Sequence, residues 1–95
     1  MIDAVFNRSK QGIDEAQMVF AWIDDYEAFG TIWELGYAAA QDKIIAIGCP
    51  FDISISGELW FPLKCAHFIV NESSPEKAFE ALCHKLLHAR DILAA

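Results

Sequence analysis

Two short runs constrain this chain more than anything else in it. The first is Met18-Val19-Phe20-Ala21-Trp22-Ile23, and the second is Lys43-Ile44-Ile45-Ala46-Ile47-Gly48-Cys49. Both are rich in β-branched or aromatic residues and almost free of polar ones. A run of this kind predicts a strand covered on both faces, as in a parallel sheet flanked by helices, rather than one with a wet side. Asp24-Asp25 ends the first run and Pro50 stops the second. The segment between them is long enough for a helical crossover, which parallel pairing requires.

The remaining elements follow by pattern. Residues 1–16 predict a helix, with Ile2, Val5, Phe6, Ile13 and Ala16 on one stripe and Gly12 weakening its middle. Its patch of Asn7, Arg8, Ser9, Lys10 and Gln11 reads as a solvated face. Tyr26 to Phe29 reads as a connector, with Gly30 giving a turn and Thr31 contributing to the cap of a helix that runs to about Gln41. On that helix Ile32, Leu35, Gly36 and Ala39 form one apolar face, and Trp33, Tyr37 and Ala40 form a second. Gly36, Ala38, Ala39 and Ala40 are small enough to admit a neighbouring backbone. Residues 51–64 read as a loop containing Gly57 and a short helical turn at Leu59-Trp60-Phe61-Pro62-Leu63, which plugs the structure or lids a pocket. His67 to Val70 predicts a third strand. Ser74 as N-cap and Pro75 at the first helical position open a last helix, helped by Glu76 at its positive end. There Phe79, Leu82, Leu86 and Leu93 face inward, while Lys77, Glu80, His84, His88 and Asp91 face water. The order α-β-α-β-β-α gives a single α/β domain over residues 1–95, with a three-stranded parallel sheet and flanking helices.

Charge and composition narrow the function. Fourteen acidic residues against seven basic ones give a net charge of −7. This argues against a nucleic-acid partner, whose phosphates call for clustered Lys and Arg. An uncharged nucleoside is not excluded. No apolar run reaches the ~20 residues of a membrane span, and no basic segment followed by an apolar one marks a signal peptide, so neither membrane nor export is expected. Three cysteines, Cys49, Cys65 and Cys83, are an odd number without a CxxC pair, which fits reduced thiols in a cytoplasm. The chain is 55% hydrophobic. In a domain this small, part of that content is expected at a subunit interface.

Three constellations carry chemistry. Asp24 and Asp25 stand at the carboxyl end of the first strand, and the turn brings Glu34 back over the same end. Paired carboxylates suit glycosidic chemistry, one at the anomeric carbon and one handling the leaving group's proton. The plain alternative is that acidic residues favour helix N-termini. His84 and His88 have zinc-ligand spacing with Cys83 and Glu80 nearby, but they lie on the polar stripe and lack an HExxH pattern, so no metal is expected. Cys49 stands at a strand end, the best position of the three for reactivity, but no histidine follows it closely in sequence, so it reads as a buried inert thiol. No phosphate-cradling glycine loop is present.

The segment Gly30-Thr31-x-x-Glu34-Leu35-Gly36-Tyr37-Ala38, between the strand ending at Asp24 and the strand opening at Lys43-Ile44-Ile45, resembles the nucleoside 2-deoxyribosyltransferase family. The likeness reaches upstream to Gly12-Ile13-Asp14-Glu15-Ala16 and, more weakly, downstream through Leu59-Trp60 and the last helix. It implies a flavodoxin-like or Rossmann-like half-domain with Glu34 as the nucleophile, attacking the anomeric carbon of a 2′-deoxynucleoside and forming a deoxyribosyl ester. Asp24 or Asp25 would assist with the base. Gly30, Thr31 and Tyr37 would line the substrate site, with Tyr37 orienting the Glu34 carboxylate. No cofactor is implied. The family has an acidic residue where this chain has Ala28, so that role would fall to Asp24, Asp25 or Glu27. It can also offer a neighbouring subunit an asparagine near Leu59, where this chain has Glu58. Family members begin with a strand and helix, usually with a second strand, that shape the pocket; the alignment of the motif implies that these elements are missing here.

Without the strand that normally lies beside it, Met18 to Ile23 becomes an exposed apolar edge, which is an aggregation hazard unless paired. The expectation is a homodimer or higher homo-oligomer, either through a continuous six-stranded sheet or through helix packing at Trp33 and Tyr37. The alternative to an enzyme is a non-catalytic oligomeric module that keeps the fold fragment and binds a small ligand or a protein.

Overall fold

The computed structural model describes residues 2–25, 28–52 and 60–94. The element order is α1 (Ile2–Glu15), β1 (Met18–Trp22), α2 (Phe29–Ala40), β2 (Ile44–Cys49), α3 (Trp60–Cys65), β3 (Phe68–Asn71) and α4 (Pro75–Ala94). The three strands form one sheet in the order β1-β2-β3, and both pairings are parallel. The α/β architecture expected from the two apolar runs is therefore the one observed. Glu27, Gly57, Glu58 and Leu59 lie outside the described residues, as do the side chains of Trp60, Phe61, Leu63, Asp91 and Leu93.

β2 is the centre. Its register sets Met18 opposite Ile44 and Trp22 opposite Gly48 on one side, and Ala46 opposite Phe68 and Gly48 opposite Val70 on the other. Residues 45 to 49 are all buried. Alternation sends Ile45, Ile47 and Cys49 to one face, where they meet Ala21, Ile23, Ile13 of α1, and Leu35 and Ala38 of α2. α4 packs on β2 and β3 and carries the buried Ala78 and Leu82. Among the described residues no polar or charged side chain is buried, so the side chains of the core pack by apolar contact, apart from the Cys49 thiol.

The close backbone approach lies on the α4 side. A Cβ on Gly48 would stand 2.8 Å from Ala78 Cβ, 3.1 Å from Phe20 and 3.2 Å from Trp22. Gly48 is thus the gap into which α4 settles. Gly36, by contrast, is exposed and has open space around it. The buried small residue of α2 is Ala38.

The helix ends differ in how well their sequences announce them. Ser74 Oγ accepts the Lys77 backbone N–H at 3.2 Å, as its N-cap position predicts. α2 starts earlier than expected: Ala28 is its N-cap with no side-chain cap bond, so Gly30 and Thr31 lie within the helix. Gly30 has no positive φ; among the described residues the left-handed one is Asp42, at φ 59°, in the turn into β2. On α4, Phe79 remains 55% exposed although its ring meets Phe20 edge-on at 5.8 Å. One helix on this face does not cover the β1 side of the sheet.

Gly48→Ala should destabilise the fold by about 1–3 kcal/mol, the usual range for overpacking a close contact. Gly36→Ala should be neutral or should stabilise by up to about 1 kcal/mol, because a helical glycine is replaced in open space. Urea unfolding followed by circular dichroism distinguishes the two, and equal midpoints for both variants would contradict the close approach at Gly48.

Candidate functional site

Glu34 lies in the second turn of α2. Its neighbour Leu35 is 2% exposed and Ala38 is fully buried, which fixes the rotation of the helix against the sheet. At 100° per residue, that rotation turns residues 30, 33, 34 and 37 away from the sheet and toward α1. There they form one wall of a groove of about 610 Å³, whose other wall is Val5, Phe6, Ser9, Lys10 and Ile13 of α1. The volume is within the usual range of small-molecule sites. The Glu34 side chain is exposed and makes no hydrogen bond or ion pair with any described residue. Among the described residues Lys10 is the one positively charged residue lining the groove, from a patch that reads as a solvated face.

The groove gathers Gly30, Glu34 and Tyr37 from the expected site residues. Thr31 is half-buried and is not on its wall. Asp24 and Asp25 are exposed just past the end of β1 and are not on it either. The Asp25 carbonyl instead accepts the Ala28 N–H, at 3.3 Å, in the turn into α2.

Tyr37 does not orient Glu34. Its hydroxyl donates to Asp14 Oδ1, and Gln41 Nε2 donates to the same oxygen at 3.0 Å. Lys43 Nζ donates to the Asp14 backbone carbonyl, also at 3.0 Å. Asp14 therefore ties the last turn of α1 to α2 and to the start of β2. The Tyr37 hydroxyl, then Gln41, holds the Asp14 carboxyl below the ordinary carboxylate range, and the same bond together with partial burial raises the Tyr37 phenol above its ordinary value. Sequence reasoning missed this clamp, since Asp14 and Tyr37 are 23 residues apart. Its one available signal was that both residues fall within the family-like stretch.

The other constellations resolve more simply. Cys49 is buried and its thiol donates to the Phe51 carbonyl at 3.1 Å. His67 is occupied with β2, accepting the Ile45 N–H on Nδ1 at 3.0 Å. His84 and His88 are exposed on α4. Among the described residues no group of three or more His, Cys, Asp or Glu side chains is placed to hold a metal ion. No described helix is long and apolar enough to cross a membrane. No protein-family model matches the chain, and neither a curated protein nor a solved structure does.

The clamp makes a pH-dependent contribution whose sign follows from the two shifts. For Asp14, lowered in the folded chain, the contribution is full above the ordinary aspartate value of about 3.9 and is lost as pH falls through the lower folded value. For Tyr37, raised in the folded chain, it is full below the ordinary phenol value of about 10 and is lost as pH rises through the higher folded value. Tyr37→Phe should therefore lower the urea midpoint near neutral pH, and the gap from wild type should close at both extremes. A gap that persists unchanged in acid would show that the bond does not form.

Proposed function

We propose that this chain is a deoxyribosyltransferase-like domain acting on the N-glycosidic bond of a 2′-deoxynucleoside, with Glu34 as nucleophile. The observation that carries the reading is an exposed carboxylate, with no hydrogen bond or ion pair to any described residue, on the wall of a groove within the usual size range of small-molecule sites. It stands within the Gly30 to Ala38 motif that resembles the family. A Glu34 oxygen attacks the anomeric carbon, and the bond from that carbon to the base nitrogen breaks with its electron pair going to the base. A proton supplied to the base completes its release and leaves a deoxyribosyl ester on Glu34. A second base, or water, then attacks the same carbon, and the ester oxygen departs as the regenerated carboxylate. In this proposal Asp24 or Asp25 protonates or orients the base from outside the groove wall. No organic cofactor or metal takes part in these steps, and three cysteines, an odd number without a CxxC pair, suit a cytoplasmic setting.

A second reading is favoured by the surface around the same groove. Val5, Phe6, Phe29 and Trp33 are 58%, 64%, 64% and 80% exposed. An oligomeric binding module without catalysis would use such residues to hold a ligand or a partner.

Incubation with several 2′-deoxynucleosides, followed by intact-mass measurement and chromatography of free base, separates the two. The enzyme reading expects a deoxyribosyl adduct on wild type and none on Glu34→Ala, with base release falling on the order of 10³-fold or more. No adduct and no base release with any nucleoside tested would remove the enzyme reading and leave the binding module.

A further inference from the structure

Among the described residues β1 pairs on one side only, and its hydrogen bonds define what can join the other. The Gln17 carbonyl accepts the Ile44 N–H at 3.0 Å, and the Ile23 N–H donates to the Gly48 carbonyl at 2.8 Å. In a parallel ladder the N–H and C=O of one residue point the same way, and successive residues alternate. Residues 17, 19, 21 and 23 therefore turn their backbone groups to β2. Met18, Phe20 and Trp22 turn theirs outward.

We propose that this edge is filled by β1 of a second copy, antiparallel, with the two-fold axis at Phe20. Three observations favour a copy over another occupant. First, this register closes completely: Phe20 pairs with Phe20 of the partner subunit, and Met18 pairs with the partner's Trp22 in both directions. Each is a pair that exchanges both its hydrogen bonds, so the outward groups of all three residues are satisfied. Second, an isologous contact sets like residues near like. In a chain of net charge −7 it needs a charge-free strip, and residues 16 to 23 hold no charged side chain. The same register sets Asp24 opposite the partner's Ala16, and the acids that would meet, Asp25 and the partner's Glu15, lie beyond the ends of the strand. Third, Met18, Phe20 and Trp22 are half-buried on the face that α4 leaves incompletely covered, with Phe79 exposed beside Phe20. The pairing carries that face across the axis. The opposite edge is less suited: β3 spans four residues, and its last, Asn71, uses its side chain to donate to the Phe51 carbonyl at 2.7 Å.

The edge has none of the devices that keep sheet edges apart, neither lysine nor proline nor a bulge. The result is a continuous six-stranded sheet. It leaves the α1/α2 groove on each protomer outside the pairing and does not depend on the glycosyl-transfer reading, so Glu34→Ala should assemble as wild type does.

Sedimentation equilibrium at micromolar concentration, with amide exchange read residue by residue by NMR, tests the proposal. A dimer is expected, and the Met18, Phe20 and Trp22 amides should be protected along with Val19, Ala21 and Ile23. Protection of the outward three should fall by about tenfold or more on dilution into the monomer range, while the inward three hold. Met18→Pro removes one outward N–H at the first strand position, where proline is tolerated. It should weaken dimerisation while leaving the circular dichroism spectrum of the monomer unchanged. Three results would overturn the proposal: a monomer, a dimer in which the outward amides exchange freely (an interface on the α1/α2 side), and protection that appears only when a different polypeptide is added.

Discussion

β2 is the element on which everything else rests, because it is the one strand required to be covered on both faces. Its inward residues on one side, Ile45, Ile47 and Cys49, build the larger half of the core with α1 and α2. On the other side Gly48 gives up its side chain so that Ala78 of α4 can reach the sheet. A single buried isoleucine contributes roughly 2–5 kcal/mol by the measure of its truncation. With no buried polar group among the described residues to add direction, position along the sheet is set by shape. Gly48 is where that shape is least forgiving.

The parts of this fold that were legible in sequence are those governed by short-range patterns. The apolar run at Lys43 announced a parallel strand because a strand covered twice has no polar alternation to show; the run at Met18 announced one too, but its strand is only half-buried at Met18, Phe20 and Trp22, because α4 packs over β2 and β3. Ser74-Pro75 announced α4 because the cap lies within three residues of what it caps. The parts that were not legible depend on distance in sequence. Gly30 and Thr31 read as turn and cap, but tertiary packing carries helix α2 back to Phe29, and Ala28 stands at the N-cap without a capping side chain. Gly36, Ala38, Ala39 and Ala40 read as small enough to admit a neighbouring backbone, and Ala38 is buried, yet the residue that needs no Cβ is Gly48, and only the location of Ala78 across the sheet reveals it. Phe79 had the spacing of a core residue, but on a face served by one helix that spacing still leaves it half in water.

The site shows the same division. Glu34 could be placed on α2 from sequence, and helical periodicity determines that it turns away from Leu35. That it faces α1 depends on Asp14, which receives the Tyr37 hydroxyl and the Gln41 amide and so holds the two helices beside one another. The aspartates that sequence order placed near Glu34 lie beyond the strand end, outside the groove wall. Proximity along a chain of strands and helices fixes which end of the sheet a residue occupies. It does not fix which wall of a cleft the residue joins.

These constraints separate the two roles proposed for the chain. The pairing edge belongs to β1 and uses backbone groups of Met18, Phe20 and Trp22. The groove belongs to α1 and α2 and uses side chains. Both derive from the same strand, since Val19 and Ala21 of β1, with Ile23 just past its end, help to anchor the helix pair while Phe20 and Trp22 between them face the α4 side. Alternation along one five-residue strand thus assigns odd positions to building the site and even positions to the outer edge. A change at an even position acts on assembly and on packing under α4, and reaches the groove only through the sheet. A change at an odd position loosens the seat of α2, and with it the direction in which Glu34 points.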